Sequence, residues 1–290
     1  VTDDVHWSLS TDTGFISGWD HQGRPLIADA LSDCFVRAPI DNDICSSEVD
    51  NPSPDAWLAI WQKAGLFDLE HHCRSVDVRG NVVVSKHEYR ALGRVLIRSQ
   101  WTHRFDADGA VNIDVDVSKE ISDLPLPRVG ARLLLTQKPQ SVTWLGRGPH
   151  ENYPDRKQSA DLGIWCLSRQ AMQTPYIFPS ENGLRCDAQL AQVGQIQVER
   201  VKGSFAFSVS DFGVESLMSA QHTHERLEQQ SLHLHVDGFH MGVGGDDSWT
   251  PSTRPEYLLG AKQFSWSFRL SVKSDSHPLE SLANTRPTGQ

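Results

Sequence analysis

The chain has 290 residues, 38% of them hydrophobic and 22% charged, with a formal net charge of -10. That length suits one large or two small domains, and the composition is that of a soluble globular protein. The acidic balance argues against nucleic acid or an anionic membrane as partner, because both need a basic face, and leaves neutral ligands such as sugars open.

The sequence starts at Val1-Thr-Asp-Asp4 without Met, which predicts a piece of a longer polypeptide. Nothing resembles a signal peptide, and no run of 18 apolar residues occurs. Five cysteines stand at 34, 45, 73, 166 and 186, an odd number with no C-x-x-C. Zinc-ribbon and thioredoxin motifs are therefore absent, and free thiols in a reducing cytoplasm are expected.

Hairpins are predicted over the first thirty residues, with Asp20 to Pro25 as a turn. Asp41-Asn42-Asp43 places two carboxylates at i and i+2. An EF-hand loop would then need Gly at position 46 and Glu at position 52, where Ser46 and Pro52 stand. That excludes the loop and predicts a turn whose Asx side chains bond the backbone. One helix is predicted, opened by Pro54-Asp55 and closed by Gly65. Within it Trp57, Ile60, Trp61 and Ala64 fall at i, i+3, i+4 and i+7 as one apolar stripe.

Strands are predicted around residues 82–84, 95–103, 110–117, 132–135, 142–145, 195–198, 205–209, 231–236 and 264–270. Many alternate apolar and polar residues, which puts one face on a core and one in water. With so few helices, an all-β sandwich of large sheets follows for residues 1–273. Residues 274–290 are polar and Pro-bearing and read as a loosely held tail. Nine tryptophans fit either carbohydrate contact or large packing layers.

Several polar constellations invite a chemical reading. In Trp144-Leu-Gly-Arg-Gly-Pro-His-Glu-Asn-Tyr-Pro-Asp-Arg156 the pair Gly146 and Gly148 lacks the third glycine and the helix of a nucleotide fingerprint. Its Arg147, His150, Glu151, Asn152, Asp155 and Arg156 fit a buried ion network or a binding edge. Thr174 to Arg185 has similar character. His71-His72-Cys73, His222 with His224, and His233 with His235 are local histidine clusters. None has a third ligand at convincing spacing, so hydrogen-bonded or solvated imidazoles are expected. No Gly-x-Ser-x-Gly elbow occurs. A glycosidase needs two carboxylates about 5 to 10 Å apart; Glu151, Asp155, Glu181, Asp246 and Asp247 are available, and spacing alone pairs none of them.

The stretch Asp237-Gly-Phe-His-Met-Gly-Val-Gly-Gly-Asp-Asp-Ser-Trp-Thr-Pro251 is too polar and glycine-rich for an ordinary strand. Gly238, Gly242, Gly244 and Gly245 allow unusual backbone or close approach. An indole at Trp249 beside Asp246 and Asp247 has the chemistry of a sugar-binding wall, since sugar rings stack on aromatic planes and offer hydroxyls to carboxylates. The competing reading makes Trp249 a buried packing residue and the glycines mere turn formers.

Four segments together, residues 37–43, 144–156, 174–186 and 237–249, resemble the C-terminal domain of the large bacterial β-galactosidases of glycoside hydrolase family 2, in that family's order and spacing. The resemblance runs from about residue 5 to residue 273. It implies an antiparallel supersandwich of two large sheets, like that of aldose mutarotases. It also implies a retaining enzyme acting on terminal β-D-galactosides such as lactose. Its two catalytic glutamates would lie in a TIM barrel, for whose eight βα units this chain has no room. No catalytic residue is therefore assigned here, and the chain alone is expected to be inactive. Trp249 is implied to stack on the leaving-group or acceptor sugar. Asp246 and Asp247, with Gly242, Gly244 and Gly245, become shapers of its loop, and Trp249 is expected half-exposed on a mobile segment. Magnesium and sodium are implied to belong to other domains, with no cofactor or metal held in this one. The implied partners are the galactoside or acceptor sugar and the other domains of the same chain, or of a partner chain if this is a natural small subunit, in a homo-oligomeric parent. The alternatives are a stand-alone mutarotase-like carbohydrate epimerase, using His240 with Asp237 or Asp246 as acid and base, and a carbohydrate-binding module.

Overall fold

The computed structural model describes residues 4–46, 51–121, 123–247 and 250–273. The tail at 274–290 and Trp249 lie outside the described residues. Among the described residues, seventeen strands follow one another with only short helices between them. The chain opens on a small sheet of β1 (Val5–Leu9), β2 (Ile16–His21) and β3 (Arg24–Pro25), turned at Gln22 and Gly23 within the predicted turn. Trp7 of β1 lies flat on its cross-strand partner Trp19 of β2, ring centroids 4.3 Å apart and planes within 16°.

After β4 (Ile27–Cys34) come α1 (Asp41–Ile44) and α2 (Trp57–Ala64). Then β5 (Glu70–Arg79), β6 (Val82–Ala91), β7 (Arg94–Phe105) and β8 (Val111–Lys119) form an antiparallel meander. The chain continues through β9 (Arg128–Leu135), β10 (Ser141–Gly148), β11 (Asp161–Ser168), β12 (Arg185–Ala188), β13 (Leu190–Val193), β14 (Ile196–Lys202) and β15 (Phe205–Ser210). It closes with α3 (Val214–Ser219), β16 (Leu232–His240) and β17 (Gln263–Val272). Nine strands make one sheet in the order β11-β10-β13-β14-β17-β8-β7-β6-β5, and five make another in the order β12-β15-β16-β9-β4.

The alternation read in the sequence supplies the core. Val111, Ile113, Val115 and Val117 point inward from β8, and Leu232, Leu234 and Val236 from β16, all within one apolar cluster that spans both sheets. This is the all-β, two-sheet sandwich that the strand pattern predicts. Trp19, Trp61, Trp101 and Trp144 are fully buried, and Trp7, Trp57, Trp165 and Trp266 pack partly buried against the same cluster. Eight tryptophans thus serve packing. The helix predicted between Pro54 and Gly65 is α2, which starts after Ala56 and ends at Gly65 in the left-handed conformation. Its stripe is inward as predicted; Leu58 is buried beside it, and the Trp61 indole N–H donates to the Pro125 carbonyl at 2.9 Å.

Asp33 joins the two sheets. From β4 its carboxylate accepts the Tyr89 hydroxyl at 2.7 Å, the Ser99 hydroxyl at 2.5 Å and the Trp101 indole N–H at 3.0 Å, from β6 and β7. One expectation is corrected at 237–240. Despite its polarity this stretch remains strand, since β16 keeps pairing with β9 as far as His240 opposite Arg128, across a bulge between Asp237 and Phe239. The bulge absorbs the irregular residues without ending the ladder. No helix among the described residues is long and apolar enough to cross a membrane.

Candidate functional site

The 241–247 segment leaves the end of β16, and three side chains from two distant motifs fix its backbone. Arg37, between β4 and α1, donates through Nη1 to the Met241 and Gly242 carbonyls at 3.2 and 3.1 Å. Asn42 Nδ2 donates to the Val243 carbonyl at 2.7 Å. Asp155 accepts the Val243 and Gly244 N–H groups at 3.0 and 2.7 Å. Gly242 sits so close to Asp155 that a Cβ there would lie 2.5 Å from its Oδ2. Gly244 has φ 72 and Gly245 φ 138, values that side-chain-bearing residues rarely adopt. Asp246 is exposed, and Asp247 accepts the Thr250 N–H and hydroxyl at 2.9 Å.

Arg37 is itself locked. Its Nε and Nη2 form a bidentate pair with Asp43 at 3.0 and 2.7 Å, and both side chains are buried. The turn predicted at 41–43 is instead the one-turn helix α1, and Asp43 Oδ2 caps its start by accepting the Ile40 N–H at 3.1 Å. A second wall comes from the 174–185 stretch. Glu151 accepts the Gly183 N–H at 2.8 Å and the Tyr176 hydroxyl. Asn152 Oδ1 accepts the Cys186 N–H at 2.9 Å, and Arg185 Nε donates to the Pro149 carbonyl at 3.0 Å. Between the walls lies an open groove of about 740 Å³, floored by Asn42 and Tyr153, with Glu181 on the second wall and Ile177, which is 90% exposed, on the rim. The Tyr153 hydroxyl and Asn42 Oδ1 are buried there without a hydrogen-bond partner.

Over residues 1–270 the sequence matches the family described as the beta galactosidase small chain. The chain belongs to that family. β-Galactosidase of Aeromonas hydrophila is 44% identical over 267 residues, which are 90% of this chain and 26% of the relative. That of Klebsiella pneumoniae is 42% identical over 272 residues, 92% and 26% of the two chains. The Vibrio vulnificus enzyme is 40% identical over 279 residues, 94% and 27%. The chain thus spans about a quarter of the length of the curated relatives it matches. Among solved structures, galactose 1-epimerase from Lactobacillus acidophilus NCFM aligns at 5% identity and TM-score 0.48, covering 94% of this chain and 92% of that one.

In this β-galactosidase small-chain domain the 144–156 motif divides between structure and groove. Arg147 pairs with Asp187 at 2.6 Å while Lys157 takes the other oxygen at 2.8 Å, an ion network away from the groove. Exposed His150 meets the Ser159 hydroxyl at 3.1 Å. Glu151, Asp155 and Glu181 are each committed to backbone or arginine donors. The histidine clusters are likewise engaged: His71 Nε2 is 3.0 Å from His87 Nδ1, His222 pairs with Glu225, and His233 with Gln229. Among the described residues no group of three or more His, Cys, Asp or Glu is placed to hold a metal ion.

Sequence reasoning did not single out Arg128. It is fully buried and donates through Nε to Asp237 and through Nη2 to Glu181, both at 3.0 Å. Burial pushes the Asp237 carboxyl up to about 7 against the pull of Arg128. Burial also raises Glu181, and burial, helped by Arg128 and Arg37, holds His240 well below the usual imidazole range. An acid–base pair of His240 with Asp237 has no access to a sugar, because the two are 4% and 0% exposed. No local pattern announces Arg128, which lies 109 residues from Asp237 and 53 from Glu181.

Proposed function

We propose that this chain serves a retaining β-galactosidase as the domain that supplies one wall of its substrate site. In this reading Trp249 stacks on the leaving-group sugar of a β-D-galactoside, or on the acceptor sugar in transfer. Gly242, Gly244, Gly245, Asp246 and Asp247 shape the stretch that carries it. The catalytic glutamates act by double displacement from another domain, where any magnesium and sodium are also bound. The observation that carries the reading is the clamping of Met241 to Gly244 by Arg37, Asn42 and Asp155. Five side-chain bonds fix the entry to a short glycine-rich segment at the edge of an open groove, the arrangement expected where a loop must present one side chain to a ligand.

The test is Trp249→Leu in the longer enzyme that contains this chain. Loss of a stacking platform predicts a roughly tenfold or greater rise in KM for lactose and a comparable fall in transfer to glucose. Inhibition by galactose should change little. Unchanged lactose affinity together with unchanged transfer would remove Trp249 from the sugar site.

A further inference from the structure

Four side chains meet behind the groove floor, where β9, β16 and the 176–184 stretch converge. Arg128 bonds Asp237 Oδ2 and Glu181 Oε1, each at 3.0 Å. His240 Nδ1–H is used on the Met241 carbonyl at 2.8 Å, which leaves Nε2 facing Glu181 Oε1 at 3.9 Å. His240 Nε2 and Asp237 Oδ1 are both buried without a hydrogen-bond partner. All four side chains are 6% exposed or less.

One guanidinium therefore faces two carboxylates away from water. The surroundings offset only part of the excess charge. Arg37 is paired with Asp43 but still pulls Glu181 down, Glu151 opposes it as another negative group, and Cys34, Cys186, Tyr153 and His235 are neutral neighbours. A buried net negative charge with a bare carboxylate oxygen and a bare imidazole nitrogen is a site for a proton.

We propose that the Arg128–Asp237–Glu181–His240 cluster holds one exchangeable proton, and that its loss changes how the two groove walls, 176–181 and 241–247, are held. Glu181 belongs to one wall. His240 leads straight into the other, and its bond to Met241 lies on the carbonyl that Arg37 also grips. With the proton present the cluster is neutral and both walls are tied through Arg128. Without it, two full negative charges compete for one guanidinium, and the weaker partner withdraws. The carboxylates rather than the imidazole carry the proton, since burial raises Asp237 and Glu181 while it lowers His240. Asp237 and Glu181 are thus positioning residues. The functional meaning rests on the groove being the substrate side; the proton does not.

The test is an NMR titration of the 290-residue chain from about pH 5 to about pH 9, with no sugar present, so that its outcome is independent of Trp249. The Asp237 side-chain carboxyl should titrate near neutrality, and the amides of Met241 to Gly245 and of Glu181 should move with the same midpoint. Asp237→Asn should abolish the amide movement in that range. Glu181→Gln gives a second variant, in which the remaining carboxylate has Arg128 to itself and titrates at least tenfold more acidic. Asp237 and Glu181 both titrating below about pH 5, or amides of both walls that stay flat across neutrality, would overturn the proposal.

Discussion

Arg37 shows how much one buried side chain can organise. Its guanidinium is paired with Asp43, donates to two carbonyls of the 241–247 segment and lies 5.8 Å from the ring of Trp61 in α2. Removing it leaves a buried carboxylate alone, which is costlier than replacing a whole ion pair. Arg37→Met should destabilise the chain by about 3–5 kcal/mol, read as a lower urea midpoint at unchanged slope. The double variant with Asp43→Leu should recover part of that loss. Gly242→Ala tests the adjacent contact. Its methyl must displace the Asp155 carboxylate that holds Val243 and Gly244, at a cost of about 1–3 kcal/mol by overpacking. The glycines and aspartates of this segment are visible in the sequence because a left-handed or crowded backbone selects few residue types. Their anchors are not, because Arg37 reaches across 204 residues to Met241, a pairing set only by the fold.

Among the elements, the bond between sheets at Asp33 has the clearest consequence. Three neutral donors hold its carboxylate, and burial pushes it up to about 6 from an ordinary 3.8. Between those values the folded chain binds more protons than the unfolded chain, so this group makes stability fall as pH rises through that window. The loss is about 3 kcal/mol. Asp33→Asn keeps an acceptor but cannot ionise. The difference in urea stability between this variant and the parent should therefore shift toward the variant by that amount from about pH 4 to about pH 7, and a constant difference would rule out the assignment. β8, with one wet and one dry face, was legible from alternation alone, and so was β16, although its second face buries His235 and Asp237. β5 and β11 were not. They lie at the two ends of the nine-stranded sheet, where Glu70, Arg74, Asp77 and Arg79 meet water on one edge and Leu162 stands 61% exposed on the other, so neither presents a clean period of two. Past Asp237, strand pairing overrode composition, because β9 offered Phe239 and His240 partners beyond a bulge.

At the scale of the whole molecule, one apolar cluster runs from the first hairpin through both large sheets. No part of it closes without the other, so the described sandwich should unfold as one cooperative unit. Tryptophan fluorescence and far-ultraviolet circular dichroism should lose their native signals at the same denaturant concentration. Two separated midpoints would mean that one sheet keeps its structure alone.

The first hairpin carries its own reporter of that closure. Trp7 and Trp19 lie 4.3 Å apart with planes 16° from parallel, and Trp7 also donates its indole N–H to the Gly109 carbonyl at 2.9 Å. Two chromophores so near and so nearly aligned share their excited states. The pair should give a bisignate exciton band in circular dichroism that Trp7→Phe removes. That band reports whether the N-terminal hairpin has closed with its two indoles stacked, a local event that other optical signals from this tryptophan-rich chain would average away.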